Sequence, residues 1–125
     1  MGFFSDTRNS CFLGFGLEDG KIYISGGSSY AQGTTNVADG NWNMLAFTYT
    51  TDDVCEGYTN NSSGTMAKEI SNKDVSGSTS YNRVDYIGTG YGYSGANAAS
   101  ALDAIQIYSG ILTQTQLQAI YDKGK

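Results

Sequence analysis

The run GTGYGYSG at 88–95 sets Tyr91 and Tyr93 two residues apart among glycines. In an extended stretch residues i and i+2 share a face, and glycines let a backbone approach a ligand closely. A tyrosine offers an apolar ring to sugar C–H groups and a hydroxyl to sugar oxygens. Tyr91 and Tyr93, completed by Asn97 and by Tyr30 from another loop, therefore form a candidate carbohydrate site. The competing reading makes the run a long connection whose tyrosines lie on the body of the fold.

A second group carries oxygen. Asp39, Asp52, Asp53 and Asn60 can supply hard ligands to Ca²⁺, which takes six to eight oxygens. They lack the spacing of an EF-hand, and Asp and Asn are also ordinary turn residues. Glycoside hydrolysis needs two carboxylates about 5–9.5 Å apart across a cleft. Asp52, Asp53 and Glu56 approach this most nearly but divide between a turn and a strand, so no enzyme is expected. Trp42 can stack on a sugar, yet its alternation with Met44 and Ala46 points to the core. The sequences NNS at 60–62 and NSS at 61–63 are formal glycosylation sites.

Composition narrows the field further. The 125 residues contain no histidine, which removes Ser-His-Asp and Cys-His catalysis and histidine-ligated zinc. Seven Lys and Arg against twelve Asp and Glu leave a net charge of −5, a poor footprint for nucleic acid. The length allows one domain, residues 1–125, and ten tyrosines and one tryptophan restore the apolar area that a low content of Leu, Ile, Val and Phe leaves missing. No apolar stretch approaches the length of a membrane span. The first residues show no basic segment followed by an apolar one, and Asp6 stands where a myristoylation signal needs Ser or Thr. The chain is then either cytosolic or a segment of a longer secreted protein. Cys11 and Cys55 either bridge, for roughly 4 kcal/mol by loop closure, or remain thiols in strands.

The elements that position these residues are mostly strands. Two apolar runs, 11–17 and 21–24, flank Glu18, Asp19 and Gly20, and Asp-Gly between such runs predicts a hairpin. The stretch 42–50 alternates with large apolar residues on both faces, as an interior strand covered on both sides would. A hairpin is predicted from 54–59 and 65–70, and strands at 84–88 and 101–108. One helix closes the chain. Thr113 and Gln116 form a capping box, Leu112 and Leu117 a hydrophobic staple, and Gly124 a C-terminal stop. About seven short strands and a terminal helix predict an all-β antiparallel sandwich.

Three segments resemble the laminin-G-like branch of the concanavalin A-like lectin/glucanase jelly rolls. FLGFGLEDGKIYI at 12–24 is similar to that family's hairpin before its central tryptophan. DGNWNMLAFTY at 39–49 is similar to its "DGxWHHVAxTYD" strand, and LDAIQIYSGILTQTQLQAIY at 102–121 to its closing strand and helix. Asn43 and Met44 replace the two histidines of the second motif. The resemblance implies a jelly roll with Trp42 in the core, Asp103 in a structural role and calcium in loops at the edge. It also implies an extracellular or cell-surface setting. Glucanase relatives carry a Glu-x-Asp-x-x-Glu type run that is missing here. The expected function is thus a non-catalytic, calcium-assisted carbohydrate-binding module. The alternative is a structural or adhesion module that assembles with protein, or with its own copies, through an open sheet edge, because only about ten residues precede Cys11 where the family has several strands.

Overall fold

The computed structural model describes residues 2–5, 13–26, 29–50, 52–60, 62–75, 86–87 and 101–124. Its strands are β1 (Gly2–Ser5), β2 (Leu13–Glu18), β3 (Lys21–Gly26), β4 (Ser29–Gln32), β5 (Leu45–Tyr49), β6 (Val54–Asn60), β7 (Met66–Asp74) and β8 (Tyr86–Ile87). One helix, α1 (Gln114–Lys123), ends the chain. The strands form a five-stranded sheet, in the order β4-β3-β2-β1-β8, and a three-stranded sheet, β5-β6-β7. All pairings are antiparallel.

The β2–β3 hairpin follows from its turn. Asp19 and Gly20 adopt φ of 50° and 75°, the left-handed pair that matches the twist of the flanking strands. Glu18 then pairs with Lys21, and every residue back to Leu13 falls into register. The tip is also packed. A Cβ on Gly20 would come within 2.3 Å of Asn36 Oδ1, and the Val37 N–H donates to the Gly20 carbonyl at 2.7 Å.

The two sheets share one core. Ile22 and Ile24 of β3 meet Cys55, Ile70 and Val75, with Leu13, Phe15, Leu17, Leu45, Phe47 and Tyr49 around them. Phe15 and Phe47 stack across the interface with centroids 4.8 Å apart. Gly57 permits this approach, since Ile22 Cδ1 lies 3.0 Å from where its Cβ would stand.

A second cluster lies on the other face of the three-stranded sheet. Tyr58, Met66 and Leu117 are buried there, with Met44, Ala46, Leu112 and Tyr121 against them. The three-stranded sheet therefore sits between the five-stranded sheet and α1. β5 has apolar partners on both faces, as its alternation requires, but it occupies an end of its sheet among the described residues rather than the interior. Helix α1 begins with the expected capping box: Gln116 N–H donates to Thr113 Oγ1 and Gln116 Oε1 accepts the Thr113 N–H. Gly124 ends it in a right-handed conformation, φ −91°, rather than the left-handed one expected of a terminal glycine.

One predicted strand is absent. Residues 101–108 lie outside any strand and are exposed throughout. Asp103 Oδ1 accepts the N–H of Ala104 at 2.7 Å, and Ala104 takes φ of 50°. That left-handed residue interrupts the extended backbone that the alternation of Leu102, Ala104, Gln106 and Tyr108 implies.

Candidate functional site

Alternation along β3 and β4 sorts their side chains onto two faces. Ile22, Ile24 and Ala31 turn to the core, leaving Tyr23, Tyr30 and Gln32 on the outer face. Tyr23 pairs with Gln32, and Tyr30 pairs with Ser25, so the two tyrosines are diagonal neighbours across the hairpin. Their rings lie 6.0 Å apart and 18° from parallel. Tyr30 is 50% exposed.

Polar groups converge on the same place. The Tyr30 hydroxyl donates to the Glu18 carboxylate, and Gln32 Nε2 donates to the Glu18 carbonyl at 2.8 Å. Desolvation against the sheet, followed by the hydrogen bond and charge of Glu18, pushes the Tyr30 phenol up to about 12. The phenol is thus protonated at neutral pH and its direction is fixed. The patch presents nearly parallel apolar rings beside a carboxylate and an amide.

Tyr30 is therefore a strand residue rather than a loop residue, and it gathers with Tyr23, Glu18 and Gln32. Tyr91, Tyr93 and Asn97 lie outside the described residues. Tyr23, Glu18 and Gln32 are not singled out by any motif in the sequence. A signal for Tyr23 is nonetheless present, because once the Asp-Gly turn fixes Ile22 and Ile24 inward, Tyr23 must face out.

The oxygen-bearing residues do not gather as one set. Asp52 and Asp53 lie in the β5–β6 turn, while Asn60 is the last residue of β6, about 20 Å along the strand, and Asp39 is linked to it through Asn43. Asp53 accepts the Tyr49 hydroxyl at 2.6 Å and takes φ of 60°. Asp39 Oδ1 accepts the Asn41 N–H and the Asn43 amide, both at 3.0 Å. The Asn41 backbone first, then the side chains of Asn41 and Asn43, hold the Asp39 carboxyl below its ordinary value. Asn60 is buried, with both ends of its amide engaged: Oδ1 accepts Met44 N–H at 2.7 Å and Nδ2 donates to Asn43 Oδ1 at 2.8 Å. Among the described residues, no three His, Cys, Asp or Glu side chains cluster as metal ligands would. Glu56, the remaining acid of the 52–56 stretch, pairs with Lys68 at 2.6 Å and accepts the Tyr58 hydroxyl at 2.5 Å.

Two further expectations concern Cys55 and Trp42. Cys55 is a free thiol in the core between the sheets, and its would-be partner Cys11 lies outside the described residues. Trp42 is not a core residue: it is 69% exposed. The physical reason is local. The alternation that would bury it runs only as far as Met44, where the backbone is seized by Asn60, and residues 39–43 turn away from the sheet in a loop closed on Asp39. Among the described residues, no helix is long and apolar enough to cross a membrane. No family model, curated protein or solved structure matches the chain.

Proposed function

We propose that this protein is a non-catalytic carbohydrate-binding module with a concanavalin A-like jelly-roll fold, acting outside the cell or at its surface. The observation that carries the reading is the Tyr23–Tyr30 pair, two nearly parallel rings on the outer sheet face beside Glu18 and Gln32, with Tyr30 half exposed. Pyranose rings present C–H groups on their faces and hydroxyls at their edges, and this patch complements both. A glycan array on folded protein tests the proposal, run once with calcium and once with EDTA. Binding to a coherent set of glycans that Tyr30→Ala abolishes supports it. Loss of those hits in EDTA supports calcium assistance through Asp39, Asp52 or Asp53. No binding from folded protein overturns it.

A second reading has its own observation. Leu102, Ile105, Ile107, Tyr108 and Ile111 are all exposed, Ile107 to 71%, in a segment with the alternation of a strand. Such a row suits a structural or adhesion module that binds protein or its own copies. Light scattering on the purified chain separates the two: concentration-dependent association that Ile107→Asp removes favours assembly.

A further inference from the structure

We infer that Trp42 is a second sugar-stacking platform, and that the ligand is an extended, uncharged glycan chain rather than a single terminal sugar. The inference rests on the carbohydrate reading above and adds a subsite and a ligand class to it. The first observation is exposure. Trp42 stands 69% open while its neighbour Met44 packs into the cluster around Leu117, so the indole is left out of a core that lies two residues away.

The second observation is that the loop presenting it is held on both flanks. On one side Asn41 N–H donates to Asp39 Oδ1 at 3.0 Å. On the other, Asn43 Nδ2 donates to Asp39 Oδ1 at 3.0 Å, to the Val37 carbonyl at 3.1 Å and to the Asn41 carbonyl at 3.3 Å. Asn43 Oδ1 in turn accepts from the buried Asn60 amide at 2.8 Å. A large aromatic side chain carried on a backbone that is held before its ligand arrives spares the cost of ordering the loop on binding. Free indoles on mobile loops lack that advantage.

The third observation links the two platforms. Val37, which receives Asn43, also donates its N–H to Gly20 at 2.7 Å, and Gly20 is in the turn that follows Glu18, the acceptor for Tyr30. The Trp42 loop and the Tyr30 face are therefore anchored on the same β2–β3 turn. Two aromatic platforms tied to one turn suit successive sugars of a chain. The acids on the two platforms, Glu18 and Asp39, and a net charge of −5 disfavour uronic or sulfated sugars, which selects neutral ones.

Trp42 is the protein's single tryptophan, so its emission reports on this subsite alone. The experiment titrates folded protein with cellohexaose, xylohexaose, mannohexaose and laminarihexaose, with their disaccharides, and with polygalacturonate as the acidic control. Expected are a blue shift and protection from acrylamide quenching with at least one neutral hexasaccharide. Its affinity should fall about tenfold or more in Trp42→Ala, stay within a few-fold of the native value in Trp42→Phe, and exceed that of the disaccharide. The urea midpoint of Trp42→Ala should match the native one, because the side chain is exposed. Hexasaccharide binding that Tyr30→Ala abolishes, with Trp42 emission and Trp42→Ala affinity unchanged, overturns the subsite and leaves the proposed function standing. Equal affinity for disaccharide, or for polygalacturonate, overturns the assigned ligand class. No binding by any sugar overturns both proposals.

Discussion

The Asn60 side chain completes the backbone of Met44: its carbonyl accepts the Met44 N–H at 2.7 Å, and the Asn60 backbone N–H points to the Met44 carbonyl at 3.4 Å. In this way β6 extends the ladder beyond β5 without a further strand pair. The side-chain amide also reaches Asn43 and, through it, Asp39, so one buried side chain governs the entry to β5 and the loop that carries Trp42. Asn60→Leu strands the Met44 N–H and Asn43 Oδ1, each at a cost of about 1–3 kcal/mol. The urea midpoint should fall accordingly, and Trp42 emission anisotropy should drop as its loop loses its anchor. Asn60→Asp retains the acceptor but buries a carboxylate against Asn43 Oδ1, and so should not restore the native midpoint.

Helix α1 is held by Leu117 and Tyr121 and by two amides. Leu117 is buried between Tyr58 and Met66. Gln118 Oε1 accepts the Met66 N–H at 2.7 Å, and Gln114 Nε2 donates to the Met66 carbonyl at 2.7 Å. Leu117→Ala should destabilise the fold by about 2–5 kcal/mol in urea. Gln118→Ala removes the acceptor of the Met66 N–H and should cost about 1–3 kcal/mol. A Leu117→Ala midpoint equal to the native one would mean the helix contributes nothing to the sheet beneath it.

The features legible in the sequence were those fixed by neighbours along the chain. Asp19-Gly20 sets a hairpin because only the turn residues decide its φ angles, and Thr113 with Gln116 sets a helix start within one turn. What escaped depends on pairing between distant segments. The alternation at 101–108 fits a strand, but a strand needs an edge to join, and Ala104 turns left-handed instead. Trp42 reads as core by alternation with Met44 and Ala46, and only the pairing of Met44 with Asn60, a residue far along the chain, shows where the strand begins. The Tyr23–Tyr30–Glu18 group needs the β3–β4 register, which no single motif specifies.

Cys55 makes a chemical prediction. It is fully buried between the sheets, and burial, with a smaller contribution from the Asp53 charge, pushes its thiol up to about 12. At pH 8 the thiolate fraction is then roughly one part in ten thousand. Iodoacetamide should leave the peptide containing Cys55 unmodified in native protein and alkylate it rapidly in urea, as read by peptide mass mapping. Rapid native alkylation would place the thiol at the surface.

Glu69 ties the loop after β4 to β7. Its carboxylate accepts the Thr34 N–H at 2.8 Å and hydroxyl at 2.9 Å, and the Thr35 N–H at 3.0 Å and hydroxyl at 2.6 Å. Desolvation raises the carboxyl, but these four donors, led by the Thr35 hydroxyl, outweigh it and hold the group below its ordinary value. A carboxyl lowered by folding stabilises the native state fully above its unfolded pKa, about 4.3. That stabilisation is lost as pH falls through the lowered folded value. Glu69→Gln removes the charge and one acceptor, and should cost about 1–3 kcal/mol at pH 7. Native and variant urea midpoints should therefore differ most at neutral pH and converge as pH falls below about 4.3 and through the lowered folded value. A difference that persists undiminished at low pH would assign the effect to shape rather than to the carboxylate's charge.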